Sequence, residues 1–180
     1  HKNLRLFYFL LLVTAIAAGV RYMDTQKAVE LSKAANAADF AIADTAAVDK
    51  IFIADKDGNH ALLERSTGRY WKLNGTHLAR RDAVELLLKT FLRARVQRPV
   101  PQGELGTVNR MLAGRGKKVE IYQGGETPVK TWYIGTSTQN HTGTYMVLAD
   151  ANGQLAEEPF IVHMEGFTGF LSTRFFTDER

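Results

Sequence analysis

Fifteen consecutive residues without a charge, Leu6 to Val20, stand between Arg5 and Arg21, and they constrain the chain more than anything that follows. As a helix the run rises roughly 22 Å at about 1.5 Å per residue, short of the ~30 Å hydrocarbon core of a bilayer. Leu4 to Met23 supplies the missing length if Arg5 and Arg21 reach outward to the headgroups, with Tyr8 or Tyr22 near an interface. Apolarity all round, with charge only at the ends, is the pattern of a membrane segment rather than of a buried core helix. Residues 1–23 therefore read as a signal-anchor helix. The competing reading is a cleaved secretory signal, with Ala15-Ile16-Ala17 and Ala18-Gly19 as candidate cleavage sites. Arg21 as a flank, and the lack of a dominant cleavage site, favour the anchor. Both readings carry the remaining chain across a membrane. Lys2, Arg5 and the α-amino group favour a cytoplasmic amino end, against the weaker opposing bias of Arg21 and Lys27.

The net charge of +4 suggests nucleic acid until the charges are located. Once Lys2, Arg5 and Arg21 are set aside, 20 basic residues face 19 acidic ones, and no nucleic-acid motif is present. A hydrophobic share of 45% with 23% charged residues is globular composition, which excludes disorder and low-complexity classes, and 180 residues give room for one domain or a small pair. The absence of cysteine removes disulfides, thiol catalysis, cysteine-ligated zinc and a lipid-bearing cysteine.

Residues 24–47, rich in alanine and polar side chains and free of glycine and proline, read as a helical stalk or linker that frays near Asn36 to Asp44. From Val48 short β-like runs take over. Lys50 to Ala54, Ala61 to Glu64 and Tyr70 to Leu73, with Asp57-Gly58 and Asn74-Gly75 as turns, predict a three-stranded antiparallel meander. Leu78 to Val96 has apolar residues at three- and four-residue spacing and predicts a helix stopped by Pro99 and Pro101. Glu104 to Ala113 predicts a shorter one, with Leu105, Val108 and Leu112 on one side. Four more strands are expected at Lys118–Tyr122, Val129–Gly135, Thr144–Ala149 and Pro159–Met164. This order predicts an α+β domain over residues 48–176, a mostly antiparallel sheet with about two helices on one face. Trp71 is expected to be its central core aromatic, sharing a strand face with Leu73 beneath Leu87, Leu88 and Phe91. The aromatic run Phe167, Phe170, Leu171, Phe175, Phe176 must pack back on the sheet or continue; the charged 177–180 after it reads as the start of a missing carboxyl-terminal segment.

One loop concentrates hydroxyl and amide groups: residues 135–143, GTSTQNHTG. Thr136, Ser137, Gln139, Asn140 and His141 there offer donors and acceptors to a glycan or peptide backbone, with Trp132 or Tyr145 as a stacking surface. The bland reading is a hairpin loop that satisfies its own backbone, since the same residues are turn formers. Ser137 and His141 do not make a hydrolase, because no Gly-x-Ser-x-Gly elbow is present. His60, His77, His141 and His163 lack metal-ligand spacing, and Asp55 to Asn59 has its glycine fourth and Thr67 at the twelfth position, so it reads as a hairpin turn rather than a calcium loop. No phosphate-binding glycine motif occurs. Neither a catalytic site nor a cofactor or metal is expected. Charge is uneven: residues 64–118 hold 13 basic and 4 acidic side chains, residues 119–180 hold 3 and 8. A basic face beside an acidic half suits a charged protein partner, headgroups or a wall polymer; the bland alternative is internal charge pairing.

The stretches LLERSTGRYWKLNG, ARRDAVELLLKTFLRARVQRPVP, KVEIYQGG, VKTWYIGTSTQNHTGTYMVL and EPFIVHMEGF together resemble the bacterial domain of unknown function 4340 family, in its Bacteroidetes-type form with an amino-terminal membrane segment. The pattern is a strand ending in Leu63-Glu64, then Gly68 and Trp71, a helix with paired leucines, and Ile134-Gly135 before Gly143 and Tyr145, within residues 48–171. The resemblance implies a chain longer than this one, an inner-membrane setting with the domain on the periplasmic side, and the company of gliding-type ABC transporter components. It implies no catalytic residues. The expected function is a non-enzymatic, membrane-anchored extracytoplasmic module that meets lipid through its amino-terminal helix and assembles with an envelope complex, an ABC-type transporter among the candidates. The alternative is a binding module for glycan or cell-wall polymer that uses the 135–143 loop.

Overall fold

Alternation of apolar and polar side chains builds the sheet. In Lys50–Ala54 (β1), Ile51 and Ile53 are buried while Lys50, Phe52 and Ala54 face the other way. The same two-residue period runs through His60–Arg65 (β2), where Ala61 and Leu63 are buried. The computed structural model describes residues 39–67, 70–150 and 152–177, together with Gly19 and Arg21, both helical. The anchor Leu4–Met23 apart from Gly19 and Arg21, most of the stalk, Gly68 and the end of the 177–180 segment lie outside the described residues; among the described residues no helix is long and apolar enough to cross a membrane.

After β1 and β2 come Trp71–Leu73 (β3), His77–Leu78 (β4), the helix Arg81–Arg93 (α1), Ala94–Pro99 (β5), the helix Gln102–Arg115 (α2), Lys117–Tyr122 (β6), Lys130–Ser137 (β7), Thr144–Ala149 (β8), Phe160–Met164 (β9) and a 3₁₀ turn at Ser172–Arg174. The nine strands form one sheet in the order β4-β3-β2-β1-β6-β7-β8-β9-β5, antiparallel at every pairing. The fold is thus α+β with an antiparallel sheet. Residues 37–180 make one compact unit.

Two strands escaped the sequence reading. β4 has only two residues, too few for periodicity to register. β5 begins where the predicted helix should still run to Val96: Arg93 ends α1, its carbonyl accepts from the Glu165 N–H, and Ala94 pairs with Met164 of β9. Ladder bonds to β9 replace helical ones here, and tertiary pairing overrides a local pattern that the two prolines alone would have ended later.

The helices do not share a face, which corrects the expectation of two on one side. Val84, Leu87 and Phe91 of α1 join Ile51, Ile53, Trp132, Ile134, Met146 and Val162 in the larger core. Val108 and Leu112 of α2 join Val147 and Ile161 on the opposite face, with Tyr133 and Tyr145 at the margin. The strand period proves the opposition, since Met146 and Val147, or Phe160 and Ile161, are consecutive residues in different cores. Both helices were visible as amphipathic stripes, but a stripe does not say which side of a sheet it meets.

Trp132 is the central aromatic of the larger core, at 0% exposure. Its ring meets Phe91 at 5.2 Å, Phe40 at 6.0 Å and Phe175 at 6.3 Å between centroids, all edge-on, the arrangement aromatic quadrupoles favour. Trp71 is buried in the same core at 7% exposure but lies toward the β4 edge, with the Arg65 guanidinium 5.0 Å from its ring centre. The expectation that Trp71 is buried holds; the central place belongs to Trp132. The carboxyl-terminal aromatic run packs back in part: Leu171 and Phe175 are fully buried while Phe167 and Phe176 stay exposed, the Leu171 N–H bonds Thr144 Oγ1, Lys117 Nζ bonds the Phe175 carbonyl and the Thr177 hydroxyl reaches Asp55.

Candidate functional site

The 135–143 loop is tied at both ends by close packing. A Cβ on Gly135 would stand 2.5 Å from Met111 Cε, where α2 crosses β7, and one on Gly143 would stand 2.5 Å from Ile161 Cγ2. Between these anchors the polar groups turn on each other. Thr138 is buried, and its hydroxyl lies 2.7 Å from Asn140 Oδ1 while it accepts from the Gly143 N–H; Asn140 Oδ1 also takes the Thr142 N–H and hydroxyl. His141 takes a left-handed backbone (φ 55°), its N–H bonding the Thr138 carbonyl. These are the bonds of a self-satisfying turn.

The seven candidate residues do not make one surface. Thr136, Gln139, Asn140 and His141 are exposed, and Ser137 half-buried. His141 Nδ1 lies 3.2 Å from Ser137 Oγ, with Phe170 as its other neighbour, so among the described residues no carboxylate orients the imidazole as a nucleophile-activating base requires. Trp132, proposed above as a stacking ring, is corrected: it is sealed in the α1-side core, because its position in β7 falls on the inward phase of the alternation. Tyr145 lies on the α2 side and donates to Glu104 Oε2 at 2.9 Å; burial and that carboxylate raise its pKa.

A different surface assembles elsewhere. On the α2 side of the sheet, α2 covers β7, β8 and β9, and no described element covers β2, β1 and β6. Register partners point to the same face, so the exposed half can be read in rows. Lys72, Glu64, Lys50 and Tyr122 form one row; Leu62, Phe52, Glu120 and Thr131 a second; His60, Ala54, Lys118 and Tyr133 a third. Three of its rings carry an ammonium group over their faces: Lys50 over Tyr122 at 4.0 Å, Lys118 over Phe52 at 5.4 Å and Lys56, from the β1–β2 turn, over Tyr133 at 5.8 Å. Glu120 accepts from Lys118 at 3.0 Å and from the Tyr122 hydroxyl at 3.1 Å, and burial together with Glu120 raises the Tyr122 pKa. Among the described residues no carboxylate pairs with Lys50, Lys56 or Lys72.

The signal for this face was present in the sequence as the outward half of each strand: Lys50-x-Phe52, Lys118-x-Glu120-x-Tyr122 and Thr131-x-Tyr133. It went unread because only register brings those fragments together. Asp55, at the end of β1, is a turn residue as expected; its carboxylate accepts from the Asp57 and Asn59 N–H groups and from the Thr177 hydroxyl. Those bonds, with that of Thr177 foremost, hold its pKa down at about 2.

Comparison with protein-family models, with curated proteins and with solved structures finds no match. Of the residues that carry the family resemblance, three occupy packing positions, Trp71 in the core, Gly135 under Met111 and Gly143 against Ile161, while Glu64 is exposed.

Proposed function

We propose that this chain is a non-enzymatic module of the bacterial envelope, anchored in the inner membrane by its amino-terminal helix, whose periplasmic domain assembles with a membrane protein complex of the ABC-transporter kind. The observation that carries this reading is the half of the sheet that no described element covers. A sheet face is normally buried against another layer, and here one half is closed by α2 while the other keeps Phe52, Leu62, Tyr122 and Tyr133 under a film of lysines. The sheet edges are poorer contact sites. β4 is two residues long, and β5 carries Arg95, Arg98, Pro99 and a register shift between Val96 and Arg98, the devices that keep an edge from recruiting strands. Anchor and transporter setting rest on the Leu4–Met23 run and the family resemblance.

The loop-based glycan reading loses its stacking ring with Trp132 buried and Tyr145 committed to Glu104. Affinity purification of the full chain from native membranes tests assembly. A stoichiometric membrane partner retained across mild detergents is the expected result; a solitary monomer in all of them contradicts the reading.

A further inference from the structure

We infer that the open half-face seats an acidic amphipathic helix of the partner protein, its carboxylates meeting Lys50, Lys56 and Lys72 and its apolar side resting on Leu62 and Ala54. This deepens the assembly reading and rests on it.

The dimensions suit one helix. The uncovered strands β2, β1 and β6, with β3 beside them carrying Lys72, give at about 4.8 Å spacing a strip roughly 15–19 Å wide, and a helix with its side chains is about 10 Å across. The same face already receives a helix in this way, since Val108 and Leu112 of α2 pack over the neighbouring strands. A second helix beside α2 completes the layer. Charge sets the sign of the partner: among the described residues Lys50, Lys56, Lys72 and Lys118 stand on this side against two carboxylates, the exposed Glu64 between Lys50 and Lys72 and the half-buried Glu120 held by Lys118 and Tyr122, and Lys50, Lys56 and Lys72 make no ion pair. A ring beneath an ammonium fixes it without neutralising it, so its outward side still favours an anion.

Other occupants fit less well. A neutral glycan stacks on bare ring faces, and the faces of Phe52, Tyr122 and Tyr133 are overlain by lysines. A second copy of this chain would set lysine against lysine across the contact, a like-charge arrangement that interfaces avoid.

Carbodiimide cross-linking of the full chain in its native membranes, followed by mass spectrometry, tests the inference, because the reagent joins an amine to a carboxylate in direct contact. The expected result is Lys50, Lys56 or Lys72 linked to Asp or Glu residues three or four apart in one segment of one partner, the spacing of a helix face. Lys50→Glu with Lys56→Glu should lower partner recovery at least about tenfold at unchanged thermal unfolding, an effect in the range of buried-rim charge reversal. If Lys50→Glu disturbs folding, Lys56→Glu alone, in an exposed turn, gives the same comparison. A partner recovered with cross-links only to other surfaces overturns the helix-docking inference and leaves assembly standing. No partner in any detergent removes assembly itself. Lysines linked instead to uronate carboxylates of added polygalacturonate, with loss of the protein cross-links, assign the face to an acidic polymer and overturn the helix.

Discussion

The two faces of this sheet are built by the same strands, yet one is closed and the other half open. Trp132 and Tyr133 show the difference within one peptide bond: Trp132 is sealed among Phe40, Phe91 and Phe175, while Tyr133 lies at the margin of α2 with Lys56 over its ring. The closed face is covered by three separate pieces of chain, α1, the segment around Phe40 and Ile42, and the strap carrying Leu171 and Phe175. Among the described residues the open half has lysines in place of a third layer. If that half is the contact surface proposed above, substitutions on it and in the closed core should report different properties.

The largest effect is expected at the centre of the closed face. Trp132→Ala removes the ring around which three phenyl groups converge and should destabilise the domain by about 3–5 kcal/mol, read as a shift of the urea midpoint. Trp71→Ala, buried but nearer the β4 edge where the neighbours can relax, should cost about 3 kcal/mol, the lower end of the same range. A Trp71 effect larger than that of Trp132 would show that the core is centred elsewhere.

The strap gives a pH-dependent test. Asp55 has a folded pKa near 2, below the ordinary carboxylate value of about 3.9, because the Thr177 hydroxyl and the Asn59 and Asp57 groups hydrogen-bond its charged form. A depressed folded pKa means a contribution that is complete above the unfolded value and is lost as pH falls through the folded one. The wild-type chain should lose this contribution between about pH 4 and pH 2, and Thr177→Val should shrink that acid-dependent component while stability differs less below pH 2. Unfolding followed by circular dichroism across that range measures it. A Thr177→Val loss that is the same at every pH would place the strap's attachment elsewhere.

The smallest effect is expected in the polar loop. His141→Ala should change stability by under about 0.5 kcal/mol, since the imidazole is exposed and the loop is held by Thr138, Asn140 and the two glycines. A larger loss, in the same denaturation experiment, would give the Ser137 and Phe170 contacts of His141 a structural role.

Much of the fold was legible because it is written in local periods. The meander β1–β3, the two amphipathic helices and strands β6 to β9 all follow from spacing within ten to fifteen residues. What escaped depends on distant pairing. β5 is a strand because β9 lies beside it, although the sequence through Val96 still alternates like the end of a helix. Within Thr131-Trp132-Tyr133-Ile134 every residue tolerates burial, so the phase that sends Trp132 inward and Tyr133 outward is set by the register with β6 and β8 rather than by the run itself. The candidate loop drew notice through its composition, but Thr138 and Asn140 spend their bonding capacity within it. The lysine-covered face drew none, because its residues come from five strands and no single stretch displays them.

The claim that the open half-face is a contact surface is tested most directly by the reactivity of its lysines. The full chain is labelled with an amine-reactive acetylating reagent, once purified in detergent and once in its native membranes, and each lysine is quantified by mass spectrometry. Lys50, Lys56 and Lys72 should be protected in native membranes relative to the purified chain, while Lys89, exposed on α1 across the sheet, reacts equally in both. Equal labelling of Lys50, Lys56 and Lys72 in the two preparations would contradict the account.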